Sequence, residues 1–538
     1  MNEKKMSYLW QYVSYWASVY PDLPAIHFKD RHFTWKEFDI KTDTLAKSFL
    51  HIGLKKGDII ATMLPASPEY LFTLIAADKI GAVICALDVK YKSADLKKFL
   101  SHLHPAVLIS LRHQDSSDTE TILHDIMNEF DIAPQVQYVT VGERGTGLSF
   151  EDLLVSGSTE DENLTHAKTD QNKNDDLLIV FTGGTTGTPK AAMLSKINVA
   201  GMAAAEVSII NRHLGYEDGP KRIKSIVSLT PSHVGGTVEL MGMGITGGME
   251  MFVNDTWSPV HIFETVEKEN IEWIGGVPTM YAIMLITPQL KDYNLSSLKL
   301  AVLSGEKTET ELLEQIQTRI CPNLIIGYGS TEAGAEVTFT EPGDDIQKIV
   351  QGFVGHPLSG YSIRIVDRED HDLPEYEEGE VLVRSDFTIK KYFKMPDEDR
   401  QGFTHDGYCR TGDLGYLTKE GELFIKGRTK HIIRVGSYTV MPAEIEEVVT
   451  QDSSVGIAAA IGVPDKILGE VVWLIVSPAS GSAIDPDHLI NLCETQLAKF
   501  KVPKRIIIKD DLPVTHIGKI NRALLQTEII KKIKEGLL

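Results

Sequence analysis

The chain has little cysteine: Cys85, Cys321, Cys409 and Cys493 are all there are in 538 residues, and no two form a CxxC pair. That excludes a disulfide framework and a cysteine-rich metal site, and it points to a reducing compartment. Clustered basic charge is also missing. Lys and Arg number 54 against 75 Asp and Glu, a net charge of −21 spread along the chain. Nucleic acid or an anionic membrane as the main partner is therefore excluded, since both need gathered Lys and Arg. No run approaches 18 uninterrupted apolar residues, so no transmembrane segment is expected. The opening MNEKKMSYLWQYVSYW has no apolar core followed by a small-residue cleavage site. A cytoplasmic protein is expected, without internal repeats or low-complexity tracts.

What is present is an ordinary globular composition, 42% hydrophobic and 24% charged, long enough for about three to four domain-sized cores. Phe38, Thr42, Leu45, Ala46 and Phe49 recur at helical spacing, and GDIIATML (57–64) reads as a buried strand. The segments 67–88 and 93–110 repeat a helix followed by a strand. Such alternation predicts a parallel sheet covered by helices. The polar stretch 157–176 reads as a surface loop, and DLLIVFTGG (176–184) as a buried strand entering a glycine-rich turn. From about 350 to 427, short alternating strands predict a small β-rich subdomain. Beyond 428 the pattern is mixed: MPAEIEEVVTQ a helix, VVWLIVSP a strand, DPDHLINLCETQLAKF a helix. Residues 428–538 carry 14 Lys/Arg and 13 Asp/Glu, nearly neutral beside an acidic body. The expected architecture is α/β: an N-terminal domain over 1–427 of parallel-sheet αβα layers, and a small mobile α+β lid over 428–538.

The most informative segment is FTGGTTGTPKAAMLS, from Phe181 to Ser195. Gly183, Gly184 and Gly187 let the backbone turn and present amides inward. Thr182, Thr185, Thr186 and Thr188 supply hydroxyls and Lys190 a positive charge, which together suit phosphate oxygens. It is not the GxxxxGK[ST] loop, because Thr188 and Pro189 precede Lys190 and no Ser or Thr follows it. The segment resembles the phosphate loop of the AMP-forming adenylating superfamily: acyl-CoA synthetases, luciferases and peptide-synthetase adenylation domains. The family's other motifs follow in order from about residue 20 to 522. Departures are Thr182-Gly183 and Ala191, where Ser-Ser and Gly are commoner, and His431, where an acid is usual.

The resemblance implies a role for each motif. In LSGEKTE, Gly305, Glu306 and Lys307 would approach the adenine. In GYGSTEAG, between Gly327 and Gly329, Tyr328 would stack on it. Thr331 would meet the α-phosphate and Glu332 would help to hold Mg²⁺, whose preference is for hard oxygens. Asp413 of YCRTGDLGYL would accept both ribose hydroxyls, and Arg428 would contact the nucleotide. Lys430 falls at the hinge, Gly436 on the pantetheine channel, and Lys519 of LPVTHIGKINR at the catalytic lysine. His233 of TPSHVGG falls at the family's mobile His or aromatic, although a lone histidine is as often a structural one. The acyl pocket would be lined by Val234, Gly235, Gly236, Gly276, Val277, Tyr281 and Gly327. None of these offers a charge, so an uncharged acyl body is expected. It would be a medium-chain, branched or cyclic monocarboxylate.

The implied activity is carboxylate–CoA ligation: ATP and the acid give acyl-AMP and pyrophosphate, and the acyl group then passes to coenzyme A. No carrier-protein domain follows Arg522, so free CoA is the expected acceptor. The alternatives are a ligase loading a separate carrier protein and a non-catalytic nucleotide sensor. Retention of Lys519, Glu332 and Asp413 together argues against the sensor.

Overall fold

A computed structural model describes residues 6–114, 117–129, 136–155, 162–182, 189–216, 223–308, 310–367, 369–428, 432–479, 482–513, 520 and 522–538. The chain divides into two compact units. One comprises Met1–Val89, Leu100–Phe181 and Ala191–Gly427; the other comprises Lys90–Phe99, Thr182–Lys190 and Arg428–Leu538.

In the larger unit the alternating pattern becomes a seven-stranded sheet. Its order is Lys190–Ser195, Asp176–Thr182, Val83–Ala86, Ile59–Met63, Val107–Leu111, Gln137–Val141 and Leu148–Ser149. From Asp176–Thr182 outward the pairs are parallel. Both faces are covered, so Ile59–Met63 and Val83–Ala86 are buried at every position. The helix Trp35–His51 starts at a reciprocal cap. Thr34 Oγ1 accepts the Glu37 amide at 3.2 Å, and Glu37 Oε2 accepts the Thr34 amide at 2.8 Å. The helix Pro68–Ile80 is buried on all sides.

Full burial forces the charges on that last helix into pairs. Asp78 and Lys196 are wholly inaccessible. The Lys196 ammonium donates to Asp78 Oδ1 at 2.7 Å, to the Asp78 carbonyl at 2.6 Å and to Gln171 Oε1 at 2.8 Å. Asp78 Oδ2 accepts the Trp10 amide at 2.9 Å.

The region 157–176 is not wholly a loop: Glu162–Thr169 is a helix. Its composition is polar because only Leu164 is buried. An ion pair from Lys168 to Asp43 Oδ1 at 2.7 Å and the Lys168 ammonium 5.4 Å from the Trp10 ring centre hold the rest.

A second, five-stranded sheet carries Trp273–Gly276, Leu300–Leu303 and Leu324–Ser330 in parallel, then Ala335–Phe339 and His356–Pro357 antiparallel. A third sheet joins Pro24–Phe28 and Arg31–Thr34 to Lys224–Val227 and Glu250–Val253. The β-rich region is a four-stranded sheet of Ser362–Val366, Gly379–Arg384, Cys409–Leu417 and Leu423–Arg428.

The smaller unit is α+β. Its sheet runs Tyr438–Val440, Ile433–Val435, Gly469–Pro478, Val455–Asp465, with Arg505–Ile508 parallel to Gly469–Pro478. The helices Pro442–Val449, Pro486–Gln496 and Arg522–Lys534 belong to it. Among the described residues, no helix is long and apolar enough to cross a membrane.

Candidate active site

Strand register assembles the site. Gly276 pairs with Leu303, and Leu303 with Ile326. Ile326 is therefore level with the last residues of the other two strands, and its own strand runs on to Ser330, placing Val277, Ser304-Gly305 and Gly327-Tyr328 at the carboxyl end of the parallel strands. Ligand sites of α/β sheets form at such carboxyl ends. Gly305 adopts φ +92°, and a Cβ built there would lie 3.6 Å from Val277 Cγ1, so the two turns adjoin.

Two hydrogen bonds tie the neighbouring motifs together. The Tyr328 hydroxyl donates to Asp413 Oδ2 at 2.8 Å. Asp413, at the middle of Cys409–Leu417, is 1% exposed, and its amide is held by Thr411 Oγ1 at 3.1 Å. The Tyr392 hydroxyl donates to Glu332 Oε1 at 3.2 Å, and burial with the Glu332 charge keeps that phenol protonated. Thr331 is buried and Glu332 partly so, in the turn between the antiparallel strands. A hairpin this tight requires glycine: a Cβ on Gly329 would come within 1.8 Å of the Ala335 carbonyl oxygen.

Glu306 and Lys307 follow Gly305 in its turn, with Lys307 exposed. Thr182 ends its strand half-buried, and Lys190 is buried at the start of the next. Gly183, Gly184, Thr185, Thr186, Gly187, Thr188, Lys430, His431 and Lys519 lie outside the described residues, as does the Arg428 side chain. Gly436 has φ +59° between the paired residues Val435 and Tyr438. The two-residue hairpin accounts for a glycine there; its contact with pantetheine rests on the resemblance.

His233 is exposed, and its Nδ1 accepts the Gly235 amide at 3.1 Å. That bond puts the proton of the neutral ring on Nε2. Val234, Gly235 and Gly236 are buried and lead into a π-helical turn, Gly235–Gly242, a geometry frequent at functional sites. Tyr281 is 1% exposed, with its hydroxyl shared between the Ile274 and Val302 carbonyls at 3.0 Å each. It borders a small cavity with Gly276, Met280 and Met284.

The cavity beside Tyr281 has no charged lining residue, and a carboxyl stands near the pocket glycine Gly235. The turn carries Glu239, and a Cβ on Gly235 would lie 3.7 Å from Glu239 Oε2 and 3.2 Å from His233 Nδ1. Glu206 and Glu336 are close enough to feel its charge. Burial pushes the Glu239 carboxyl up to about 7. Burial, followed by the charges of Glu239 and Glu336, raises Glu206 well above the carboxylate range. Burial and then Glu239 do the same to Glu336, against the hydroxyl of Ser304. The sequence held a signal: Glu239 is the one Asp, Glu, Lys or Arg between Lys224 and Glu250, and Glu206 the one between Lys196 and Arg212. Lone charges in such runs need a reason.

A carboxyl raised in the fold stabilises below its unfolded value, and that contribution is lost as pH climbs through the folded one. Wild-type protein is thus expected to lose stability relative to Glu239→Gln between pH 5.5 and 8. Melting temperatures across that range check it; parallel profiles would contradict it.

The comparisons with known proteins agree with this geometry. The AMP-binding enzyme family model matches residues 13–393, and the AMP-binding enzyme C-terminal domain matches 444–519. Indoleacetate–CoA ligase of Aromatoleum aromaticum is 28% identical over 521 residues, covering 96% of this chain and 97% of its own length. A long-chain-fatty-acid–CoA ligase of Bacillus subtilis is 29% identical over 532, covering 95% and 93%. Among solved structures, the amide bond synthetase McbA of Marinactinospora thermotolerans superposes with a TM-score of 0.82 at 24% identity, covering 97% of this chain and 99% of its own. With family models over most of its length, and the motifs at the carboxyl end of the parallel strands in register, this chain belongs to the AMP-binding enzyme family, the AMP-forming adenylating superfamily.

Proposed function

We propose that the protein is an AMP-forming carboxylate–CoA ligase. The observation that carries this is the carboxyl end of the parallel strands, where the Gly305 turn adjoins Val277 and Tyr328 holds the buried Asp413. A carboxylate oxygen attacks the α-phosphorus of ATP, the bond to the β-phosphate oxygen breaks, and pyrophosphate leaves. The thiolate of CoA then attacks the acyl carbon of acyl-AMP, forming the thioester as the acyl–phosphate oxygen bond breaks and AMP departs. The first step is chiefly a matter of placing two anions together and neutralising charge.

This chain's residues divide that work. Asp413 would receive the ribose hydroxyls, with Tyr328 fixing the carboxylate's orientation. Thr331 would donate to the α-phosphate. Lys519 would deliver its ammonium to the junction of acid and phosphate. Glu332 fits Mg²⁺, which would supply charge neutralisation at the phosphates. Among the described residues no three His, Cys, Asp or Glu gather into a metal cage, and an ion that takes one or two carboxylates with phosphate oxygens and water needs none.

The test is pyrophosphate exchange into ATP with acids of graded length, followed by CoA-dependent release of AMP. Exchange with no acid would refute the reading; AMP release that ignores CoA would move the acceptor to a carrier protein or an amine. Within it, Asp413→Ala should raise the KM for ATP by about 10–100-fold, the loss of hydrogen bonds to a charged acceptor. Tyr328→Phe should raise it only several-fold, because it loosens the carboxylate without removing it. Initial rates at varied ATP distinguish the two.

A further inference from the structure

The segment 386–393 has no part in the chemistry assigned so far, yet it joins two elements that do. On one side lies the strand that follows the glycine-rich run. The Phe393 amide donates to the Ala191 carbonyl at 2.8 Å and the Met193 amide to the Lys391 carbonyl at 3.3 Å. Tyr392 and Ala192 form an antiparallel bridge between them. On the other side lies the turn that carries Thr331 and Glu332. The Ile389 amide donates to the Glu332 carbonyl at 3.1 Å, and the Tyr392 hydroxyl donates to Glu332 Oε1. A Cβ on Gly334, whose φ is +103°, would lie 2.3 Å from the Phe387 carbonyl oxygen, so turn and segment abut. Glu332 is thus gripped by main chain and side chain from residues three positions apart.

Tyr392 is seated rigidly for this contact. It is 5% exposed, and its amide donates to Asp399 Oδ1 at 2.6 Å. Its ring packs on Phe403 with centres 5.8 Å apart. A Cβ on Gly402, at the end of the helix Pro396–Gly402, would come within 2.9 Å of Tyr392 Cε2, so glycine leaves the ring its room. The Asn198 side-chain amide donates to the Asp386 carbonyl at 2.8 Å and steadies the start of the segment. A phenol held this way delivers its hydroxyl with little freedom left to lose.

A buried phenol needs only some acceptor. Tyr281 uses backbone carbonyls, Tyr70 meets the Thr237 hydroxyl at 2.7 Å and Tyr408 the Ser362 hydroxyl at 2.7 Å. Tyr392 donates instead to a carboxylate, that of the residue assigned to the cation. Its proton on Oε1 opposes ligation of one ion by both oxygens. A small ion that demands octahedral geometry and keeps its waters is served by one carboxylate oxygen, whereas the larger, more flexible Ca²⁺ readily takes two.

We infer that Tyr392 is a positioning residue: it holds Glu332 to one-oxygen ligation, in register with the strand after the glycine-rich run, and so favours Mg²⁺ over Ca²⁺. This rests on the ligase reading and adds a residue to which that reading gives no role.

The experiment measures cation binding directly, by the paramagnetic resonance of Mn²⁺, an ion of the same oxygen preference. The full chain is titrated with α,β-methylene-ATP present, whose α–β link is not cleaved, and Ca²⁺ is added as competitor. Tyr392→Phe keeps the ring in its seat and should weaken Mn²⁺ by about tenfold, the lower end of what a hydrogen bond to a charged group is worth, while Ca²⁺ competes better. In pyrophosphate exchange the half-saturating Mg²⁺ should rise by the same factor, with the KM for the acid unchanged. Gly402→Ala, which displaces the ring and keeps its hydroxyl, should shift both ions in the same direction. In a Glu332→Gln background Tyr392→Phe should add nothing, which separates action through Glu332 from general loosening. Wild-type affinities in both the Tyr392 and Gly402 variants overturn the inference, as does a loss that persists undiminished beside Glu332→Gln. Wild-type protein that binds the ion but exchanges pyrophosphate with no acid overturns the ligase reading instead, and the resonance titration still decides the role of Tyr392.

Discussion

Lys519→Ala is expected to slow acyl-adenylate formation by about 10²–10³-fold, while supplied acyl-AMP is still converted to thioester. The asymmetry follows from where the charge is needed. In the first half-reaction a carboxylate must approach an α-phosphate, and an ammonium at their junction is worth most when the two are closest. On the proposed reading, the second half-reaction consumes a neutral acyl carbon and a thiolate, and it has no pair of anions for the lysine to bring together. Pyrophosphate exchange reads the first step and thioester formation from synthetic acyl-AMP the second. Equal losses in both would remove the role proposed for Lys519.

The second large effect concerns the fold. Lys196→Met should lower the stability of the larger unit by about 3–5 kcal/mol, because it leaves the Asp78 carboxylate buried without its counter-ion. Lys196 begins the helix that follows the strand Lys190–Ser195, a poor place for a cation in water since helix N-termini favour anions. It is tolerated there because Asp78 and Gln171 take its three protons. The double substitution Lys196→Met with Asp78→Leu should recover much of the loss, since two apolar groups need no solvation. Urea midpoints of the three variants decide it: a single variant as stable as wild type would show the pair to be dispensable.

The parts of this protein legible in its sequence are those written in local spacing. Ile59–Met63 and Asp176–Thr182 announced themselves as apolar runs because a sheet covered on both faces permits no alternation. The ribose acid and its tyrosine were each legible as motifs, but the bond between Tyr328 and Asp413 spans 85 positions and only folding reveals it. The helix Glu162–Thr169 escaped because one buried leucine gives no periodicity. Glu206 and Glu239 were marked only as lone charges in long uncharged runs, and that Glu206, Glu239 and Glu336, from three elements, feel one another's charge is known only from the fold. Reading the pocket from its glycines gave the openings but not what stands behind them.

The π-helical turn at Gly235–Gly242 makes the chemistry of this pocket sensitive to chain length as well as to residue identity. Removing one residue there would let ordinary α-helical winding resume with the flanking helix kept in register, while residues inside the turn shift by up to about 100° around the axis. Glu239 would then face elsewhere with no change of amino acid. The length of this turn, and not only its residues, thus decides what stands behind Gly235.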